Sequence, residues 1–185
     1  MGNRASRGSS EEARVIMSKA RFQFCPVCAS PLSLRRVGAD AMERLACAQC
    51  DFVRYENPTP VVAAIVQRGE DVVLVRSIGW PEEWFGLVTG FLERGEHPER
   101  AIVREVVEEL GVPVEEVTRG EFIGMFTFDR MNQLIIAYHI TVPPTCEIVL
   151  DTGELAAFKL VPISKLRPWP LGTGEAVKAW LASRS

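Results

Sequence analysis

One uninterrupted stretch, Gly90–Val112 (GFLERGEHPERAIVREVVEELGV), limits the folds open to this chain more than any other. Pro98 suits the first helical position, where its missing N–H would be unpaired anyway and its preset φ is already helical. Gly111 stands where a helix usually ends, in a conformation that tolerates positive φ. Between them Ile102, Val106 and Leu110 recur every four residues and form an apolar stripe. The segment therefore reads as a loop followed by one short helix with a buried face.

The acids of that helix lie off the stripe. Glu105 and Glu109 are four apart and Glu105 and Glu108 three apart, so their carboxylates crowd one sector. Like charges at these spacings cost a helix roughly 0.2–0.5 kcal/mol per pair. Arg104, with Arg100 one turn before it, supplies part of the counter-charge. The remaining oxygens suit a hard divalent cation such as Mg²⁺ or Mn²⁺. An exposed acidic face would show the same spacing, and spacing alone leaves both readings open.

A second constraint lies upstream. Cys25-Pro-Val-Cys28 and Cys47-Ala-Gln-Cys50 are separated by eighteen residues, the spacing of a four-thiolate zinc site. Leu32–Val37 and Arg44–Ala46 are expected as strands between the two turns. Disulfides are the alternative, but nothing marks the chain as secreted, and reducing compartments keep thiols free. Four sulfurs close a zinc shell and leave no position for substrate, so structural Zn²⁺ without chemistry is expected. Cys146 has no partner at motif spacing and reads as an ordinary small residue.

Length and charge bound the rest. A chain of 185 residues accommodates one full domain and a small module. The expected organisation is a flexible lead-in over 1–21, a zinc ribbon over 22–55 and a larger domain over 56–185. The formal net charge of −3 offers no electrostatic footprint for duplex DNA or an anionic membrane. No apolar run approaches the roughly 20 residues that span a bilayer, and no signal-peptide core precedes Cys25. A cytoplasmic setting without membrane contact is expected. Gly2 and Ser6 fit a myristoylation pattern, which is short enough to arise by chance.

In the larger domain, Asp51–Pro60 reads as a linker. Val61–Val66 and Val72–Val75 read as a hairpin, with further strands at Gly86–Thr89, Phe122–Phe128, Gln133–Val142 and Leu155–Val161. Gly174–Ala182 reads as a terminal helix. Strands interspersed with helices predict an α/β domain, a mixed sheet sandwiched by helices.

The acid-rich stretch as a whole resembles the Nudix box, G-x5-E-x7-R-E-U-x-E-E-x-G-U with U aliphatic. Gly90, Glu96, Arg104, Glu105, Glu108, Glu109 and Gly111 fill its fixed positions, and Val106 and Val112 fill the aliphatic ones. The resemblance covers about Val61 to Ala182 and implies an α/β/α sandwich. It also implies metal-dependent hydrolysis of a nucleoside diphosphate linked to another moiety. Carried over position by position, it implies that Glu105, Glu108, Glu109 and the Gly90 carbonyl hold Mg²⁺ or Mn²⁺. Glu96 and Arg104 would then brace the loop as an ion pair. The general base is either Glu105 or a downstream loop acid, with Glu154 preferred over Glu147 and Asp151.

A four-cysteine ribbon directly before such a domain resembles the branch of the family that acts on NADH, FAD or ADP-ribose. CEIVLDTGEL and KLRPWPLGTGEAVKAWL resemble that branch's tail, which places Glu154 at its extra metal-site glutamate. One departure stands out. Where the NADH-specific members carry S-Q-P-W-P-F-P-x-S, this chain has MFTFDRMNQL, so NADH specificity does not follow while pyrophosphate cleavage does. Phe126 and Phe128 share a strand face there and are either core residues or stacking partners for a base. Trp80 and Trp84, in a loop, are candidates to face the substrate. His97 and His139 have no role at this level.

The expected partner is a small nucleotide substrate. Nucleic acid enters only as a capped RNA, and the ribbon is a possible seat of a homodimer. The competing class is a regulatory protein that senses a nucleotide without cutting it, its ribbon recognising nucleic acid or a partner. Complete carboxylates argue against that class.

Overall fold

The structure is a computed structural model that describes residues 22–39 and 42–184. The lead-in expected over 1–21 lies outside the described residues. The chain divides into two compact units between Asn57 and Pro58.

The first unit is a three-stranded antiparallel sheet of β1 (Leu32–Arg36), β2 (Glu43–Cys47) and β3 (Val53–Arg54), in that order. Its register pairs Leu32 with Cys47 and Arg36 with Glu43. Among its described residues the buried apolar set is Cys25, Leu45, Ala46 and Cys47. So small a core cannot offset the entropy of ordering the module, and scaffolds of this size need a staple. The stretch expected as an irregular linker is partly sheet. Val53–Arg54 pairs with β2, and Thr59–Pro60 already belongs to the next strand. Pro60 is tolerated because it sits near the start of its strand, where a missing N–H costs least.

The second unit contains β4 (Thr59–Arg68), β5 (Asp71–Ser77), β6 (Val88–Phe91), α1 (Pro98–Leu110), β7 (Glu121–Phe128), β8 (Gln133–Val142), β9 (Leu155–Pro162) and α2 (Gly174–Ser183). The sheet order is β7-β8-β4-β5-β9, with β6 also paired to β4. β4 runs parallel to β8, and the other pairings are antiparallel. This is the mixed sheet expected from the sequence.

Its core explains why β4 is central. Val61–Val66 is buried throughout, as a continuous apolar strand must be when both sheet faces are covered. Val62, Ala64 and Val66 pack with Ile102, Val106 and Leu110 of α1. Ala63 and Ile65 pack with Val177 and Trp180 of α2 on the other face. Each stripe residue of α1 contributes roughly 1.5–3 kcal/mol by this burial. The result is the α/β/α layering. The strand placed at Gly86–Thr89 begins later, at Val88, and Gly86 makes only an isolated bridge to Val75.

His139 has a structural place that its isolation in the sequence concealed. It is buried on β8, with Nδ1 3.2 Å from Glu121 Oε2 of β7 and Nε2 3.0 Å from Gln67 Oε1 of β4. Its ring lies 5.1 Å from that of Trp180, so one side chain ties three strands to α2. No helix among the described residues is long and apolar enough to cross a membrane.

Candidate metal centres and active site

The α1 helix is built as its sequence demands. His97 caps it, Nδ1 accepting the Glu99 N–H at 3.4 Å, and Pro98 follows in the first turn. Gly111 closes it in the left-handed region at φ 61°. Packing the Ile102–Val106–Leu110 stripe inward carries the adjoining positions partly under the surface. Glu105 is 8% exposed and Glu109 6%, while Glu108 projects outward.

Gly90 on β6 explains how the Glu105 carboxylate fits. A Cβ built on Gly90 would overlap that carboxylate, so only glycine lets the strand approach so closely. Arg104 organises the loop. Its Nε and Nη2 grip Glu96 at 2.9 and 3.0 Å, and Nη2 also donates to the Phe91 carbonyl at 3.2 Å. Glu96 in turn accepts the Glu93 N–H at 3.2 Å. This two-toothed pair holds Glu96 below the usual carboxylate range. Nη1 of Arg104 reaches Glu105 at 2.7 Å and Glu108 at 2.9 Å. In this arrangement the positive charge beside those two acids is the guanidinium.

Glu109 is the group left unsatisfied. Its Oε2 is buried and makes no hydrogen bond. Burial first, then the charges of Glu105, Glu154, Asp151 and Glu108, push its carboxyl up to about 8. Burial also raises Glu105, against the opposing pull of Arg104. An orphaned, buried carboxylate oxygen among four further acids fits a divalent cation, which would satisfy the oxygen and relieve the repulsion. Among the described residues, however, only the four cysteines bring three or more ligand atoms within 4.8 Å of one another.

Glu154 stands just before β9, near this cluster. Its charge acts on both Glu105 and Glu109, and its carbonyl accepts the Ile78 N–H at 2.9 Å. That bond ties it to the loop carrying Trp80 and Trp84. Trp80 packs against Gly86, whereas Trp84 is 59% exposed. Phe126 and Phe128 are half-buried against the second core cluster, on the α2 face of the sheet, with Phe128 against Gly172. The structure thus sets them on the opposite face from α1 and its acids. Asp151 is close enough to act on Glu109. The sequence signal for it was weak, a loop acid ahead of a strand.

In the first unit the sulfur contacts are 3.6 Å for Cys25–Cys50, 3.4 Å for Cys28–Cys47 and 3.7 Å for Cys28–Cys50. Tetrahedral zinc with Zn–S near 2.3 Å places its sulfurs about 3.8 Å apart, whereas a disulfide needs about 2.0 Å. The Val27 and Gln49 N–H groups donate to Cys25 and Cys47 Sγ at 3.4 and 3.3 Å. Hydrogen bonds from Ser30 bring Cys28 down to about 6. A Phe52 backbone bond pulls Cys50 the same way, yet burial and three neighbouring sulfurs push it up to about 12. Sulfurs so crowded form a four-cysteine metal site consistent with structural zinc.

Comparison with known proteins follows the same division. The family model described as NUDIX domain matches residues 57–180, and the zinc-ribbon model described as Nudix N-terminal matches 23–56. A curated relative, the NAD-capped RNA hydrolase NudC of Pseudomonas aeruginosa, is 31% identical over 167 residues, covering 88% of this chain and 57% of the relative. The protein of the same name from Mycobacterium bovis is 35% identical over 98 residues, covering 52% of this chain and 30% of the relative. The chain thus spans little more than half the length of the first of these relatives. Among solved structures, a NUDIX hydrolase from Nitrosomonas europaea superposes with a TM-score of 0.64 at 20% identity, over 88% of this chain and 92% of the other. An ADP-ribose pyrophosphatase from Streptococcus suis superposes at 0.54 and 20% identity, over 69% and 93%. These two likenesses show the fold.

Proposed function

The chain belongs to the Nudix family, and from that premise we propose that it hydrolyses the pyrophosphate bond of an ADP-containing dinucleotide or nucleotide sugar, releasing AMP and a phosphorylated remainder. NADH, FAD and ADP-ribose are the substrate class. The observation that carries the reading is Glu109, buried with an unpartnered Oε2 and a carboxyl pushed up to about 8 at the centre of a complete box.

Glu105, Glu108, Glu109, Glu154 and the Gly90 carbonyl would hold Mg²⁺ or Mn²⁺. A divalent cation held there would supply charge against the diphosphate and make a nearby water more acidic. Arg104 holds Glu96 and the Phe91 carbonyl, which braces the loop between β6 and α1 on the helix. Either Glu105 or Glu154 takes the proton of the attacking water. Trp84 presents an exposed ring for a base. Zn²⁺ on Cys25, Cys28, Cys47 and Cys50 holds the ribbon and takes no part in the chemistry.

The two relatives named for NAD-capped RNA favour a second substrate form, in which the same dinucleotide is the 5′ end of an RNA. One assay tests both forms. AMP or 5′-monophosphate release is scored at fixed Mg²⁺ or Mn²⁺ with NADH, NAD⁺, FAD, ADP-ribose, dinucleoside polyphosphates and NAD-capped RNA. Cleavage of at least one ADP-containing compound is expected, and silence across the panel from zinc-replete, folded protein would refute the proposal.

A further inference from the structure

Glu154 lies far along the chain from α1, and backbone bonds show what carries it to Glu105 and Glu109. The segment 149–155 is fastened to the end of α1. Val149 N–H donates to the Leu110 carbonyl at 2.9 Å and Asp151 N–H to the Glu109 carbonyl at 3.0 Å. Both are carbonyls that a helix end leaves without an intrahelical partner. At Gly111 a Cβ would come within 2.5 Å of the Val149 carbonyl oxygen, so strap and helix end meet this closely only across glycine.

From that anchor one residue organises the turn. Asp151 Oδ1 accepts the Gly153 N–H at 2.8 Å. Its carbonyl accepts the N–H groups of Glu154 at 3.2 Å and Leu155 at 2.8 Å. A turn of this kind needs an acceptor on a short side chain, close enough to bond the backbone two residues on. The turn delivers Glu154 to the site where Glu109, 6% exposed, keeps its Oε2 without a hydrogen-bond partner.

We propose that Asp151 is a positioning residue for Glu154. Its side chain closes the turn that aims Glu154 at Glu105 and Glu109, and its own carboxylate charge is dispensable. This rests on the reading of Glu154 as a member of the cation site.

Charge and geometry separate cleanly at this position. Asp151→Asn keeps the short acceptor and drops the charge, whereas Asp151→Glu keeps the charge on a chain too long to close the turn. Neither removes the backbone anchors to α1. Mn²⁺ is titrated into the full, zinc-replete chain and the free ion followed by electron paramagnetic resonance. Asp151→Asn should stay within about threefold of the parent Kd, while Asp151→Glu should weaken binding about tenfold or more, the usual cost of losing a ligand's supporting partner. Excess Mn²⁺ should restore most of the turnover of Asp151→Glu. Glu154→Gln should weaken Mn²⁺ binding by itself, and adding Asp151→Glu to it should cost nothing further, as expected of residues acting as one unit.

The reverse order, Glu tolerated and Asn impaired, would make Asp151 a ligand and overturn the proposal. So would parent-like affinity in both Asp151 variants alongside a weakened Glu154→Gln. Parent-like affinity in Glu154→Gln would instead refute the premise about Glu154, a distinguishable failure.

Discussion

Replacing Glu109 by Gln should have two opposite effects. The carboxyl is pushed from 4.5 to about 8 in the folded protein by burial and by the charges around it. Between those values the folded, Mg²⁺-free protein holds a proton that the unfolded chain has released. Its stability must therefore fall as pH rises through that window and reach its lowest value above the folded pKa. At about 1.4 kcal/mol per pH unit the interval sets a ceiling of roughly 5 kcal/mol. Water at the mouth of the site and neighbours that titrate in concert reduce this to on the order of 2 kcal/mol. Gln has no charge to desolvate, so the variant should be less pH-sensitive and the more stable protein at pH 8. Turnover should move the other way, down by about 100-fold or more, because one of the acids proposed to seat the cation is gone. The assay is denaturant unfolding at pH 5 to 9 in resin-treated buffer, which removes Mg²⁺ without stripping zinc, alongside AMP release at saturating Mn²⁺. A wild-type curve that is flat or rises over that range, parallel to the variant's, would refute the assignment. So would near-normal turnover in the variant.

Gly90→Ala places a methyl group where the Glu105 carboxylate lies. Activity should fall at least about tenfold and stability by about 1–3 kcal/mol, the range for overpacking, measured by AMP release and urea unfolding. Cys28→Ser should lower zinc per chain and make 22–57 protease-sensitive while 58–185 stays folded, read by elemental analysis and limited proteolysis. If the zinc-free chain with ample Mg²⁺ is folded over 58–185 yet inert, the ribbon's purely structural role is wrong. Trp84→Ala should raise KM about tenfold with kcat nearly unchanged if its exposed ring stacks on the base, and an unchanged KM across the panel would remove it from the substrate site.

Much of the candidate site was legible because it is local. A helix repeats every 3.6 residues, so reading Glu105, Glu108 and Glu109 off the chain already assigns them to one sector and Ile102, Val106 and Leu110 to another. The four cysteines are legible for a similar reason, since two tight turns each offer paired sulfurs. What stayed hidden involves distant partners. Phe126 and Phe128 share a strand face, but nothing in their alternation says which helix covers it, and the structure puts α2 there. Pro60 looked like a breaker, yet its place near a strand's start admits it to β4. His97 and His139 looked idle until their neighbours gave one a cap to make and the other two polar contacts.

The amino-acid order alone determined which acids line one helix, where that helix starts and stops, and that four thiols can share one ion, because covalent spacing and backbone periodicity dictate each of these. Only the tertiary structure decided that Glu109 buries an Oε2 without a hydrogen bond, that Gly90 yields its side-chain space to Glu105, and that the strap from Val149 to Leu155 brings the Glu154 charge within range of both acids. Those outcomes depend on how a sheet and a helix end pack across long stretches of chain. Packing is set by the sum of many distant contacts, which no short segment encodes.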